Sequence, residues 1–72
     1  MNYTGGDRMD PKKRVNIRPG LEVDVVLKKN QKSGELTRGY VEKILTNSPR
    51  HSRGIKVILT DGQVGRVQNI VI

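Results

Sequence analysis

Hydrophobic and polar residues alternate along several short stretches of this chain, and no stretch shows the spacing of an amphipathic helix. Alternation with a period of two is typical of a β-strand that buries one face. Polar loops rich in turn-forming residues separate the stretches, at residues 28–34 and 46–54. The predicted strands are residues 21–27, about 35–45, 55–59, a fourth that starts at residue 64, and a short fifth at residues 70–72.

The pattern Gly-x-Val-x-x-Ile occurs twice, at residues 39–44 and 65–70. A regular strand would place a valine and an isoleucine three positions apart on opposite faces. A bulge or sharp bend between them lets both point inward, and the glycine permits the close approach. Asp61-Gly62, between the two copies, predicts a hairpin turn. The pattern therefore predicts an all-β domain, either a small barrel of four to five short strands or a small open sandwich.

The chain has 72 residues, which fits a single domain. Residues 1–14 are polar, with two glycines and few hydrophobic residues, so we expect a disordered, flexible basic arm followed by a barrel domain over residues 15–72. Lys12-Lys13-Arg14 ends this arm with three positive charges, which either grip a phosphate backbone or form a solvated run.

Lysine and arginine outnumber aspartate and glutamate by fourteen to seven, which gives a net charge of +7. The excess lies in both the arm and the folded part, and such a charge favours phosphate-rich partners. A small soluble domain commonly carries a net charge of about 2–8, so solubility alone is the alternative interpretation. There is no cysteine and no apolar run of membrane-spanning length. We expect a cytoplasmic monomer that does not enter a membrane.

The residues needed for catalysis are scarce. The only histidine, His51, lies in a polar loop, and there is no cysteine to act as nucleophile or metal ligand. Zinc-ligand spacing and the glycine patterns of nucleotide-binding loops are missing from the sequence. We therefore expect no catalytic residues, no metal and no cofactor, and the protein is predicted not to be an enzyme.

Basic residues collect in the two polar loops and on the two bent strands, where one continuous patch would bind phosphates. That patch requires both loops to lie on the same side of the barrel, which the sequence leaves open. Tyr40 should face outward and stack on a base, or else cover a neighbouring strand. The predicted nucleic-acid-binding residues are Lys28, Lys29, Lys32, Arg38, Tyr40, Arg50, His51, Arg53 and Arg66.

Two stretches carry a family resemblance: Thr-Asn-Ser-Pro at residues 46–49 and Asp-Gly-Gln-Val-Gly-Arg-Val at residues 61–67. Together with residues 16–23, Leu45, His51 and residues 54–57, they resemble the YwbE-like family of small, functionally uncharacterised microbial proteins over about residues 15–71. The resemblance implies an SH3-like small barrel and brings no activity, substrate or site residue with it. The Gly-x-Val-x-x-Ile pattern is also similar to the KOW motifs of ribosomal and transcription-elongation proteins, which bind RNA or RNA-bound machinery.

These observations predict a non-catalytic binding module that contacts RNA or a ribonucleoprotein through a basic loop patch. Phosphate contacts make such binding steeply dependent on salt and weakly dependent on sequence. The alternative is a protein–protein interaction adaptor that recruits a partner strand to an exposed sheet edge.

Overall fold

The computed structural model describes residues 9–71. Within them, four strands form a closed antiparallel barrel in the order β1-β2-β3-β4, with β4 pairing back onto β1. Short 3-10 turns lie at Arg14–Asn16 and Lys28–Asn30, and no helix in this part of the chain is long and apolar enough to cross a membrane. The strands are β1 (Glu22–Leu27), β2 (Leu36–Ile44), β3 (Lys56–Leu59) and β4 (Val64–Ile70).

This architecture confirms the predicted all-β, SH3-like barrel and rules out an open sandwich. The short fifth strand is not formed within the described residues, because Ile70 is the last residue of β4 and still pairs with β1. The remainder of that predicted strand includes Ile72, which lies outside the described residues.

The core consists of the inward-facing residues of all four strands, together with Ile17 and Ile55, which lie outside the strands. Along β1, buried and half-buried residues alternate strictly, as the sequence pattern predicts. No polar or charged residue is buried within residues 9–71, so hydrophobic packing alone fills the barrel. The buried residues are Ile17, Val23, Val25, Leu27, Val41, Ile55, Val57, Leu59 and Val67.

Both predicted bends are present as β-bulges. The register between β2 and β3 shifts between Val41 and Lys43, which makes Glu42 the extra residue on β2. The register between β1 and β4 shifts in the same way, and Gln68 is the extra residue on β4. In each copy of the repeated pattern, the valine before the bulge lies in the core and the isoleucine after it packs against the core. The bulges therefore allow residues three apart to face the same side.

The glycines that open the two patterns lie where the barrel wall comes closest to other atoms. A Cβ at Gly39 would lie 2.9 Å from Cδ1 of Leu59, and one at Gly65 would lie 2.7 Å from the carbonyl oxygen of Val26. Both distances are shorter than ordinary contacts of a carbon atom. At Gly65 the neighbour is backbone, so the close packing requires glycine there, whereas at Gly39 the neighbour is the end of a side chain.

Part of the predicted flexible arm is ordered. Residues 1–8 of that arm lie outside the described residues, but residues 10–14 are held against the loop that precedes β3. Backbone hydrogen bonds fix this segment, so the ordered domain begins near residue 10 and not at residue 15. The N–H of Arg14 donates to the carbonyl of Pro49 (2.9 Å), the N–H of His51 donates to the carbonyl of Lys12 (2.9 Å), and the N–H of Ile55 donates to the carbonyl of Pro11 (3.1 Å).

Candidate nucleic-acid interface

One row of outward-facing side chains crosses three strands of the barrel. Val26 of β1 pairs with Arg66 of β4, and Arg66 pairs with Lys56 of β3. Residues directly opposite each other in antiparallel strands carry their side chains on the same face, about 5 Å apart. The two cations therefore lie side by side on the outer surface of the sheet, next to an apolar side chain.

Two adjoining cavities of about 380 and 190 Å³ open above this row and share Val26, Gln31 and Arg66 as lining residues. We call them together the basic groove. The loop after β1 forms one wall, and the loop before β3 contributes to the other. Lys28, Lys56 and Gly65 complete the smaller cavity, and Arg53 and Gln68 complete the larger one.

Arg66 is held in place by the backbone. Its Nη1 donates a hydrogen bond to the carbonyl oxygen of Gly54, at 3.2 Å. Gly54 has a φ of +101°, and a Cβ at this position would collide with the carbonyl oxygen of Val67. Only glycine fits this buried turn, and the turn delivers the carbonyl that orients the guanidinium. A guanidinium carries five donors, and the other N–H groups of Arg66 have no hydrogen-bond partner within residues 9–71, so they are available to an anion.

Gln68, the bulged residue of β4, ties the loop before β3 to the strand. Its Nε2 donates to the carbonyl oxygens of Arg53 at 3.0 Å and of Arg66 at 3.2 Å. Both amide hydrogens are thereby used, and the backbone of Arg53 is fixed at the rim of the groove. The bulge thus contributes both to the barrel's curvature and to the position of a cation.

The cations of the basic groove carry no neutralising partner within residues 9–71. The ion pairs found there are Arg38–Asp24 and Arg50–Asp10, and neither lines the groove. No acidic side chain is among the groove's lining residues. Four like charges around a concave surface raise the local positive potential and attract anions. The four cations are Lys28, Arg53, Lys56 and Arg66.

A larger cavity of about 680 Å³ shares the lining residue Gln68 with the basic groove, and its charges are mixed. Arg38 and Asp24 both line it, and Arg38 donates two hydrogen bonds to the carboxylate of Asp24, at 2.8 and 3.2 Å. These bonds lower the pKa of Asp24 and raise the pKa of Arg38, so both stay ionised and neutralise each other. Asp10 adds a further negative charge to this cavity. It is therefore a poorer anion site than the basic groove, although it is larger.

The structure brings together three of the predicted site residues, Lys28, Arg53 and Arg66, from both polar loops and from β4. Lys29 and Lys32 are exposed in the same loop as Lys28 but do not line the groove. The two basic loops thus share one side of the barrel, which the sequence left open.

The other predicted site residues lie outside the groove. Arg38 is paired with Asp24, and Tyr40 is half exposed on the outer face of β2, opposite Glu22. Tyr40 therefore faces outward as predicted, and its stacking role stays a prediction. Arg50 and His51 lie in the part of the loop that pairs with residues 12–14.

Sequence reasoning missed Lys56, Gln31 and Gln68 as groove residues. Lys56 occupies an outward position in an alternating strand, and this alternation predicts that its side chain lies on the outer surface of the barrel. Its place beside Arg66 depends on the register between β3 and β4, and that register is not encoded by alternation alone. Within residues 9–71, no three histidine, aspartate or glutamate side chains are grouped so that they could hold a metal ion.

The fold and the groove together define a small closed β-barrel that presents basic side chains with no acidic partner in the described part of the chain. A family model described as "Uncharacterized conserved protein (DUF2196)" matches residues 10–70, and the chain belongs to this family. The "Uncharacterized protein YwbE" of Bacillus subtilis (strain 168) is 56% identical over 63 residues, which cover 88% of this chain and 97% of that protein. These matches confirm the resemblance to the YwbE-like family. No solved structure matches the chain.

Proposed function

We propose that this protein is a non-catalytic RNA-binding module that contacts the phosphates of RNA, free or within a ribonucleoprotein, through the basic groove. The observation that carries this proposal is the set of four groove cations that have no acidic partner within the described residues. Desolvated or crowded like charges are costly unless an anion neutralises them, and RNA is a strand of regularly spaced anions.

The arginine and lysine side chains of the groove suit a phosphate in different ways. The guanidinium of Arg66 is already oriented by Gly54, so its free N–H groups can bind phosphate oxygens as a fork. Lys28 and Lys56 act as mobile point charges. None of these contacts distinguishes one base from another, so we expect little sequence preference.

The adaptor alternative has less support from the architecture. Every strand of the barrel has hydrogen-bonded neighbours on both sides, so no strand is an edge strand along its whole length. A partner strand would have only short unpaired backbone segments to bind, and closed barrels remove edges in this way.

The test measures the affinity for a fluorescently labelled, mixed-sequence single-stranded RNA by anisotropy, between about 50 and 200 mM salt. About four phosphate contacts predict a slope of log affinity against log salt of about −3 for a single strand. The double variant Arg66→Gln and Lys56→Gln should make this slope shallower by about 1.4, at about 0.7 for each lost contact. Lys43→Gln is the matched control, because Lys43 is exposed but lies outside the groove.

Tyr40→Ala separates stacking from phosphate contact in the same assay. A phenol carries no charge, so this variant should leave the salt slope unchanged. Loss of stacking would lower the affinity equally at every salt concentration, by about 1–3 kcal/mol per base. The proposal fails if the wild-type protein does not bind RNA at low salt, or if its affinity is the same at both ends of the salt range.

A further inference from the structure

The segment before the barrel and the loop before β3 form a small two-stranded ribbon. Lys13 and Arg50 are paired across it in an antiparallel bridge, and hydrogen bonds at Arg14 and His51 flank this bridge. We call residues 12–14 and 49–51 the basic ribbon. Its backbone is fixed at both ends, so its side chains project from a formed surface and not from a flexible arm.

The basic ribbon carries Lys12, Lys13, Arg14 and Arg50, all exposed. Asp10 is the acidic residue next to it, and its carboxylate accepts the backbone N–H of Lys12 at 2.8 Å and lies 4.0 Å from Arg50. One donor of the Arg14 guanidinium is also occupied, because its Nε donates a hydrogen bond to the carbonyl of Thr46. The side chains of Lys12 and Lys13 make no hydrogen bond or ion pair within residues 9–71, so both charges are available to a ligand.

The ribbon continues directly into the groove. Nδ1 of His51, at the ribbon's end, accepts the backbone N–H of Arg53 at 3.1 Å. Arg53 in turn lines the larger cavity of the basic groove. The loop before β3 therefore joins the ribbon to the rim of the groove at Arg53.

We propose that the basic ribbon is a second phosphate-binding site for the same RNA strand, with Lys12 and Lys13 as its contacts. This inference rests on the proposed function of the groove. Two sites on one rigid domain make the second contact intramolecular once the first has formed, which raises the affinity only for RNA long enough to span both. The ribbon thus sets a minimum length of RNA for full affinity.

The experiment compares two single-stranded RNAs, of about 4 and about 16 nucleotides, against the intact protein and the double variant Lys12→Gln and Lys13→Gln. For the longer RNA, the variant should make the salt slope shallower by about 1.4, at about 0.7 for each lost contact. For the shorter RNA, the slope should not change, because the groove alone holds it. A second variant, Lys12→Arg and Lys13→Arg, keeps both charges and should keep the wild-type slope.

Each outcome has one meaning. If the longer RNA shows the wild-type slope with the glutamine variant, while the groove variant still loses slope, the ribbon inference is wrong and the groove proposal stands. If Lys43→Gln lowers the slope by as much per charge as the ribbon variant does, the effect is one of net charge, and the ribbon is not a site. If the wild-type protein binds neither RNA, the proposed function itself fails. Backbone-amide NMR spectra of the variants verify that the ribbon stays folded.

Discussion

The Gly-x-Val-x-x-Ile pattern occurs once in β2 and once in β4, and its two copies are alike on the inside of the barrel but different on the outside. Inside, each places a glycine against a crowded neighbour, buries a valine, adds one bulged residue and turns an isoleucine toward the core. The spacing of hydrophobic residues and the bend in the strand are thus the same in both copies.

Outside, the same positions carry different chemistry. The residue after the glycine is Tyr40 in β2 and Arg66 in β4, and the bulged residue is Glu42 in β2 and Gln68 in β4. The β4 residues hydrogen-bond to backbone carbonyls and line the basic groove. The β2 residues make no side-chain hydrogen bonds within the described part of the chain and lie outside the groove.

This difference shows that barrel closure and surface chemistry depend on different positions of the same pattern. The inward positions and the glycine are set by the curvature that a small barrel needs to close. The outward positions are free of that requirement, so they can be used for a site in one copy and left to solvent in the other. A binding site can therefore arise on a repeated structural unit without any change to its core.

The largest expected difference between the copies is the cost of adding a methyl group at each glycine. At Gly65 the new Cβ would meet the backbone carbonyl of Val26 and the branched side chain of Val25, at 2.7 and 2.9 Å. At Gly39 it would meet only the end of the Leu59 side chain, which can rotate away. Gly65→Ala should lower the free energy of unfolding by about 3 kcal/mol, and Gly39→Ala should change it by about 1 kcal/mol or less.

Urea unfolding at equilibrium measures both glycine variants. Because a domain of this size has a net stability of only about 5 kcal/mol, Gly65→Ala should keep only about 2 kcal/mol and should unfold at less than half the urea concentration that the wild type requires. An equal loss of stability in the two variants would contradict the comparison, since it would mean that the two glycines meet equally rigid neighbours.

Both bends could be predicted from the sequence, because a valine and an isoleucine three apart cannot share one face of a regular strand. The hairpin at Asp61-Gly62 could be predicted as well, and Gly62 has the left-handed backbone conformation that such a turn requires, with a φ of +91°. These features depend on neighbouring residues only. Local spacing is therefore enough to predict them.

The basic groove could be predicted only in part. Three of its cations were named from the sequence, but Lys56 was not, because its neighbour Arg66 is placed beside it by strand register. The ordered ribbon was also missed, since residues 10–14 have no hydrophobic periodicity and are held by backbone hydrogen bonds to a distant loop. Backbone hydrogen bonds of this kind do not depend on a pattern of side chains. The pairing of distant segments therefore could not be predicted from the sequence.

A smaller difference is expected between the two bulged residues. Gln68→Ala removes two hydrogen bonds to backbone carbonyls and should lower the free energy of unfolding by about 1 kcal/mol. Glu42→Ala removes an exposed side chain without such bonds and should change it by less than about 0.5 kcal/mol. Urea unfolding of both variants checks this, and equal effects would show that the Gln68 amide does not stabilise the loop before β3.

The smallest expected effect concerns Asp24 of β1, which joins the two copies across the outer face. Its carboxylate accepts hydrogen bonds from Arg38 of β2, and these, with a smaller effect of Asn69 of β4, lower the pKa of Asp24. A lowered folded-state pKa stabilises the fold above the ordinary aspartate value of about 3.9, and this stabilisation is lost as the pH falls through the lowered pKa. The difference in unfolding free energy between wild type and Asp24→Asn should therefore be largest above about pH 5 and should shrink in more acidic solution.

Asp61, whose pKa is lowered by hydrogen bonds from Gln63, loses its own contribution to stability in both proteins, so the subtraction cancels that contribution. Urea unfolding from acidic to neutral pH measures this difference, and a constant difference would mean that the Asp24 charge does not hold the two copies together.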